Sequence, residues 1–244
     1  GDKTSAYGVG IVYLVIASLY LFSALTVLKV DRPGKAVLNR DGGSLSDMQE
    51  GLRYVLAHPQ VFALIVLSIL PFLFGMPLNT LLPAFNQDVL HGHADDLGYL
   101  ISAMGGGAII GSLLMAAMGD LRRKGFWLIV SCLSWGVVTA AFGAFDMQFV
   151  ALALIALIGM LSSWNMSLNR GMLQMAVAGH MRGRIMSIDM MAHGLMPLGV
   201  FPISLVAEYH GVGAALVVSG FALMIITLLA ISFLPSVRRT LRAE

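Results

Sequence analysis

Charge is what this sequence has least of. Only 11% of its 244 residues are Asp, Glu, Lys or Arg, against roughly 25% in an ordinary soluble domain. So few charges cannot cover a water-facing surface, and with 58% apolar residues the composition is that of a chain surrounded by lipid. Cysteine is almost missing: Cys132 stands alone in an apolar run, so no intrachain disulfide can form and its expected role is packing. There is no Walker A pattern, no metal-ligand spacing and no nucleophile elbow. ATP-driven transport and membrane enzymology therefore lack support, and nothing calls for a cofactor, a metal ion or a nucleic acid. No run alternates with the period of two of a transmembrane barrel strand. The opening GDKTSAYG carries neither an initiator Met nor a basic leader, so the chain is expected to enter mid-protein.

What is present is a series of apolar runs of spanning length, about 20 residues each. They lie near Tyr7–Leu28, Val61–Phe85, Leu97–Met118, Phe126–Phe145, Phe149–Val177, Ile185–Ala207 and Gly213–Leu234. Backbone groups in hydrocarbon must be satisfied within the segment, so the expectation is an all-α membrane protein of seven helices. Of the fifteen Lys and Arg, all but Lys3 and Arg170 fall on alternate connections. Those connections are residues 29–58, the turn at 119–125, the turn at 178–184 and the tail. The positive-inside rule puts them in the cytoplasm, with the start outside and the C-terminus inside. A seven-helix receptor or sensor would have the same span count. A retinal protein would need a lysine inside a helix, yet Lys3, Lys29, Lys35 and Lys124 all lie outside the spans. The spacing also separates one helix, by about thirty residues, from six joined by short turns.

Those six read as three repeated. MPLNTLL (76–82) in the second span matches MSLNRGML (166–173) in the fifth, and Gly98-Tyr-Leu-Ile-Ser102 in the third matches Gly183-Arg-Ile-Met-Ser187 in the sixth. Three is odd, so the copies are inverted, a transporter design that places the binding site near the bilayer midplane.

The turn GDLRRKG, between the third and fourth spans, resembles the Asp-and-basic turn of the major facilitator superfamily. EGLRYVLAHPQVFALI (50–65), FGMPLNTLLP (74–83) and MRGRIMSI (181–188) resemble the branch that contains the enterobactin exporter and macrolide-efflux-like permeases. The resemblance implies the C-terminal half of a twelve-helix transporter of the bacterial inner membrane. Residues 1–28 would be the last helix of the absent N-terminal half, 29–58 the central cytoplasmic loop and 59–244 the six-helix transporter domain. It implies proton-coupled efflux of small amphipathic molecules, siderophores or drugs, by alternating access. A major facilitator importer of sugars or metabolites is the alternative within transport. Asp120, Arg122, Arg123 and Lys124 would form the cytoplasmic gate, although the order departs from the commoner Asp-Arg-x-Gly-Arg-Arg and leaves open which cation acts. Without the resemblance, the same turn is a solvated connection obeying the charge rule.

Polar residues at membrane depth are candidates for function. Ser162, Asn165 and Asn169 share one helix face with Arg170 beside them, and Asn79 is the repeat counterpart of Asn169. By the resemblance these helices line the central cavity; the plainer role is interhelical hydrogen bonding. Asp189 and His193, four apart on the next helix, are candidates for proton coupling. Arg170 lies roughly 12 Å from the cytoplasmic end of its helix at ~1.5 Å per residue, a depth at which pairing with Asp189 is expected; Arg184 is the other partner available to Asp189. Gly107 and Gly111 form a GxxxG packing face. Pro71/Pro77 and Pro197/Pro202 mark the second and sixth spans as kinked or broken. Leu45, Met48, Leu52, Val55 and Leu56 recur at helical spacing behind a Ser46/Gln49 capping box, an amphipathic helix suited to the membrane surface. Sixteen methionines, many in the fifth and sixth spans, suit either an ordinary core or a site for varied apolar ligands.

Overall fold

The computed structural model describes residues 2–29, 44–119, 123–233, 235 and 237. It contains helices and, among the described residues, no strand. The chain divides into two units, Gly1–Gly43 and Ser44–Glu244. The first holds α1 (Asp2–Leu28), apolar from Gly10 to Leu28 and long enough to cross a bilayer. The second holds α2 (Ser44–Ala57), α3 (Pro59–Phe74), α4 (Pro77–Asp88), α5 (Ala94–Met118), α6 (Lys124–Ala144), α7 (Gln148–Ala176), α8 (Arg182–His193), α9 (Met196–His210) and α10 (Val212–Phe233). Among the described residues seven spans result, because α3 continues into α4 and α8 into α9.

The two breaks fall where the prolines put them. Pro77 opens α4 and has no N–H to offer the preceding turn, so the helix ends at Phe74 and restarts. The freed groups are not abandoned. Gly75 and Met76 both donate to the Pro71 carbonyl, at 2.7 and 2.9 Å, and Ser219 of α10 donates its hydroxyl to the Phe74 carbonyl. Such repair lets a broken helix persist at membrane depth. In the sixth span Pro197 follows the break at Gly194–Leu195, and His193 Nδ1–H donates to the Asp189 carbonyl at 2.7 Å.

Without a hydrophobic force between helices in lipid, close packing needs small residues. A Cβ on Gly107 would collide with the Ala156 carbonyl, and one on Gly159 with the Met104 carbonyl. Gly111 faces Met160 in the same way, so α5 and α7 touch backbone to backbone along the GxxxG face. The repeat maps this helix pair onto the sixth and second spans, and there Gly199 of α9 lies against the Leu73 carbonyl of α3. The third helices of the two copies, α6 and α10, meet through Gly136, Gly143, Gly213 and Gly220.

Buried apolar side chains form two clusters. One takes in Leu78, Phe85, Trp135, Phe142, Ile155 and Leu216. The other takes in Val55, Leu64, Leu128, Leu168, Leu173 and Ile185. Along α3, α6 and α7 the first cluster gives way to the second, and Ser68, Ser131, Asn165 and Asn169 lie at that level.

Candidate binding site at the break in the second span

Two adjoining recesses occupy this level. The larger, about 190 Å³, lies between α4, α5, α6 and α7 and includes Asn79 and Ser162 with Leu78, Met104 and Ile158. The smaller, about 10 Å³, lies between α3, α6, α7 and α8 and includes Asn165, Asn169, Arg170 and His193. Met76 and Trp135 line both. Met76 and its repeat counterpart Met166 both reach the smaller recess, as an inverted pair around one site should. The five residues singled out for a cavity therefore border adjoining spaces.

Their amide groups also hold helices together. Asn165 donates Nδ2–H to the Leu128 carbonyl at 3.3 Å and to Ser131 Oγ at 3.0 Å. Asn169 donates to the Leu64 carbonyl at 3.2 Å. Ser162 donates to its own helix at Gly159, and Asn79 turns its amide to the Met76 sulfur. What remains unused is informative: among the described residues, Asn169 Oδ1, His193 Nε2 and Trp135 Nε1 are buried and have no partner. Trp135, Ser68 and Phe72 carry no polar spacing signal, since a lone Trp or Ser in an apolar run reads as core. Trp135 has one cue, its neighbour Gly136, which brings α6 against α10.

The expected ion pair between Arg170 and Asp189 does not form. Arg170 is exposed at the edge of the smaller recess, whereas Asp189 is only 3% exposed and its Oδ1 has no partner. Spacing along a helix fixes depth but not the direction a side chain faces, and here the two face different ways. Arg184 is not the partner of Asp189 either. It reaches to α2, with Nη2 2.6 Å from Asp47 and Nη1 2.9 Å from Glu50.

Those contacts dock α2 on α8. Gly51 lies against Ile188, the Ala178 N–H donates to Tyr54 Oη at 3.3 Å, and Val55 is buried. Met48, Leu52 and Leu56 stay exposed, so only part of the apolar stripe packs on the bundle. Ser46 lies inside the first turn of α2, not at its N-cap. Half-exposed ion pairs each contribute about 0.2–1 kcal/mol. Arg184→Ala is therefore expected to speed amide hydrogen exchange in residues 44–57 about tenfold while α10 exchanges as before. Unchanged exchange in α2 would mean that Gly51 and Val55 hold it without the charges.

Of the gate motif, Asp120 and Arg122 lie outside the described residues. Arg123 sits just ahead of α6 in a left-handed backbone conformation (φ 61°), and Lys124 begins the helix. The described residues contain no cluster of His, Cys, Asp and Glu able to hold a metal ion.

The sequence pattern of the transmembrane secretion effectors matches residues 3–241. Macrolide efflux protein A of Streptococcus pyogenes is 23% identical over 217 residues, 88% of this chain and 53% of that protein. The staphyloferrin A transporter of Staphylococcus aureus is 27% identical over 175 residues, 72% of this chain and 44% of that protein. The enterobactin exporter EntS of Escherichia coli is 30% identical over 201 residues, 80% of this chain and 47% of that protein. The chain thus spans about half the length of these relatives. No solved structure matches it.

Proposed function

The chain belongs to the transmembrane secretion effector family of the major facilitator superfamily, and from that premise we propose that it is the C-terminal half, with one preceding helix, of a secondary active exporter. The exporter moves small amphipathic molecules across the bacterial inner membrane by alternating access, and the proton gradient drives it. The observation that carries this reading is the pair of recesses at the break in the second span, with three buried polar atoms unpartnered beside apolar walls. A broken helix beside a mid-depth pocket is where transporters of this design bind and move. Mostly apolar walls with a few convergent polar groups are the ordinary make-up of a small-molecule site. Met76, Met104 and Met166 give those walls adaptable, polarizable surface, which suits molecules as unlike as macrolides and siderophores.

Asn79, Ser162, Asn165, Asn169 and Arg170 form the substrate-facing wall of a cavity that the N-terminal half completes. Asp189 and His193 carry the coupled proton. The turn at Asp120, Arg122, Arg123 and Lys124 latches one access state at the cytoplasmic face, where the distribution of basic residues also puts the C-terminus.

The test is flux in sealed vesicles. The 244-residue chain alone should move no substrate. The longer protein that completes it should export a macrolide or a siderophore and should stop when the proton gradient is collapsed. Robust flux from this chain alone would refute the half-transporter reading, and export indifferent to the gradient would refute the coupling.

A further inference from the structure

Resting on the transporter assignment, we propose that the smaller recess is a hydroxyl-recognition subsite. It receives the alcoholic or phenolic O–H end of an amphipathic ligand whose apolar body lies in the larger recess. Size is the first reason. At about 10 Å³ the recess has room for a group of about one water's size. The polarity of its walls is the second. Trp135, 2% exposed, has only a donor to give, and its Nε1–H has no partner. Asn169, 4% exposed, has committed its amide to the Leu64 carbonyl, so its free Oδ1 can only accept. His193 bonds a carbonyl oxygen through Nδ1, which must therefore carry the proton; in the neutral ring the unpartnered Nε2 is an acceptor.

One donor and two acceptors demand a group that both donates and accepts. A hydroxyl does both within one oxygen: it accepts from Trp135 and donates its single hydrogen to Asn169 Oδ1 or His193 Nε2. A carboxylate can meet Trp135 and the Arg170 guanidinium at the recess edge, but it sets its negative charge against the Asn169 and His193 acceptors and leaves both unmatched. An ammonium only donates, leaving Trp135 unmatched, and it meets the like charge of Arg170 at the recess edge. A methyl group matches none of the three, and an unmade buried hydrogen bond is the expensive case. Continuity is the third reason. Met76 and Trp135 line both spaces and stand between them, so a ligand held between Leu78, Met104 and Ile158 reaches the smaller recess when the flexible Met76 side chain moves aside.

The experiment uses the 244-residue chain in lipid nanodiscs with Trp127→Phe and Trp164→Phe, so that Trp135 is the sole indole. Four probes on one skeleton are titrated against its emission: cyclohexanol, methylcyclohexane, cyclohexanecarboxylate and cyclohexylammonium, compared at equal concentration in the bilayer. Cyclohexanol should bind saturably and at least tenfold more tightly than the other three. Asn169→Leu and His193→Phe should each cut that preference below threefold. Should Asn169→Leu not fold, since its amide also joins α7 to α3, His193→Phe decides alone. Equal binding of methylcyclohexane, tighter binding of the carboxylate, absence of saturable cyclohexanol binding, or a preference untouched by His193→Phe would each overturn the subsite. Flux by the longer protein is a separate readout. Flux without the hydroxyl preference overturns the subsite alone, whereas the preference without flux supports the subsite and overturns the transport assignment.

Discussion

Gly107→Leu should separate α5 from α7 and lower the stability of the six-helix unit by about 3 kcal/mol, the upper end of what overpacking costs. The reason is geometric. A Cβ at position 107 would coincide with the Ala156 carbonyl, which is backbone and cannot rotate aside. The reciprocal contact, Gly159 on the Met104 carbonyl, is formed by the same approach, so both are lost together. Even Gly107→Ala should be costly, and a neighbour provides the control. Nothing lies within 4 Å of a Cβ built on Gly106, so Gly106→Ala should stabilise by roughly 0.5–1 kcal/mol through helix propensity alone. Folded yield in mild detergent and melting of the far-ultraviolet helical signal are the measurements. If the two alanine variants melt alike, α5 and α7 do not cross at Gly107.

The features readable in the sequence are those a short local pattern can carry. Apolar length fixed the spans, Pro77 and Pro197 marked the breaks, and the MxLN words placed Met76 and Met166 as counterparts that border one recess. GxxxG pointed to the close face of α5. What no local pattern carries is the partner. Nothing near Gly107 says that the opposing residue is Ala156, and nothing in α2 says that Asp47 and Glu50 meet Arg184 well over a hundred residues later. Trp135 carries no local signature for a different reason. What singles it out is a donor left without an acceptor, which is a property of the packed neighbourhood and not of the apolar run around it. The pairing of Arg170 with Asp189 failed on direction. Residue counting puts both at compatible depths, but burial shows Asp189 packed inside the bundle and Arg170 exposed at the edge of the smaller recess.

Asp189→Asn should leave the folded state intact, or stabilise it by about 1 kcal/mol, and lower proton-driven export by the longer transporter about a hundredfold. The stability half follows from burial without compensation. Asp189 is 3% exposed with an unpartnered oxygen, Arg184 is engaged by α2, and Arg170 does not reach it. An amide of the same shape keeps the volume and the unmatched oxygen but can carry no charge, so any cost of burying a charge at this position is removed. Stability therefore does not explain the presence of an acid here, and ionisable residues at membrane depth are retained for function. The activity half follows from position. Asp189 shares a helix face with His193, which ends α8 immediately before the break at Gly194–Leu195, so a change of charge there acts on the joint between the two halves of the sixth span. Asparagine cannot take up or release a proton, so gradient-driven export should fail while exchange of substrate down its own gradient continues. Arg170→Ala, which breaks no ion pair among the described residues, should change stability by less than about 0.5 kcal/mol, and Arg170→Asp should not rescue Asp189→Arg. Export by Asp189→Asn at the wild-type rate under a proton gradient would remove Asp189 from coupling. A clear loss of folded yield in Asp189→Asn would mean that the carboxyl has a stabilising partner after all.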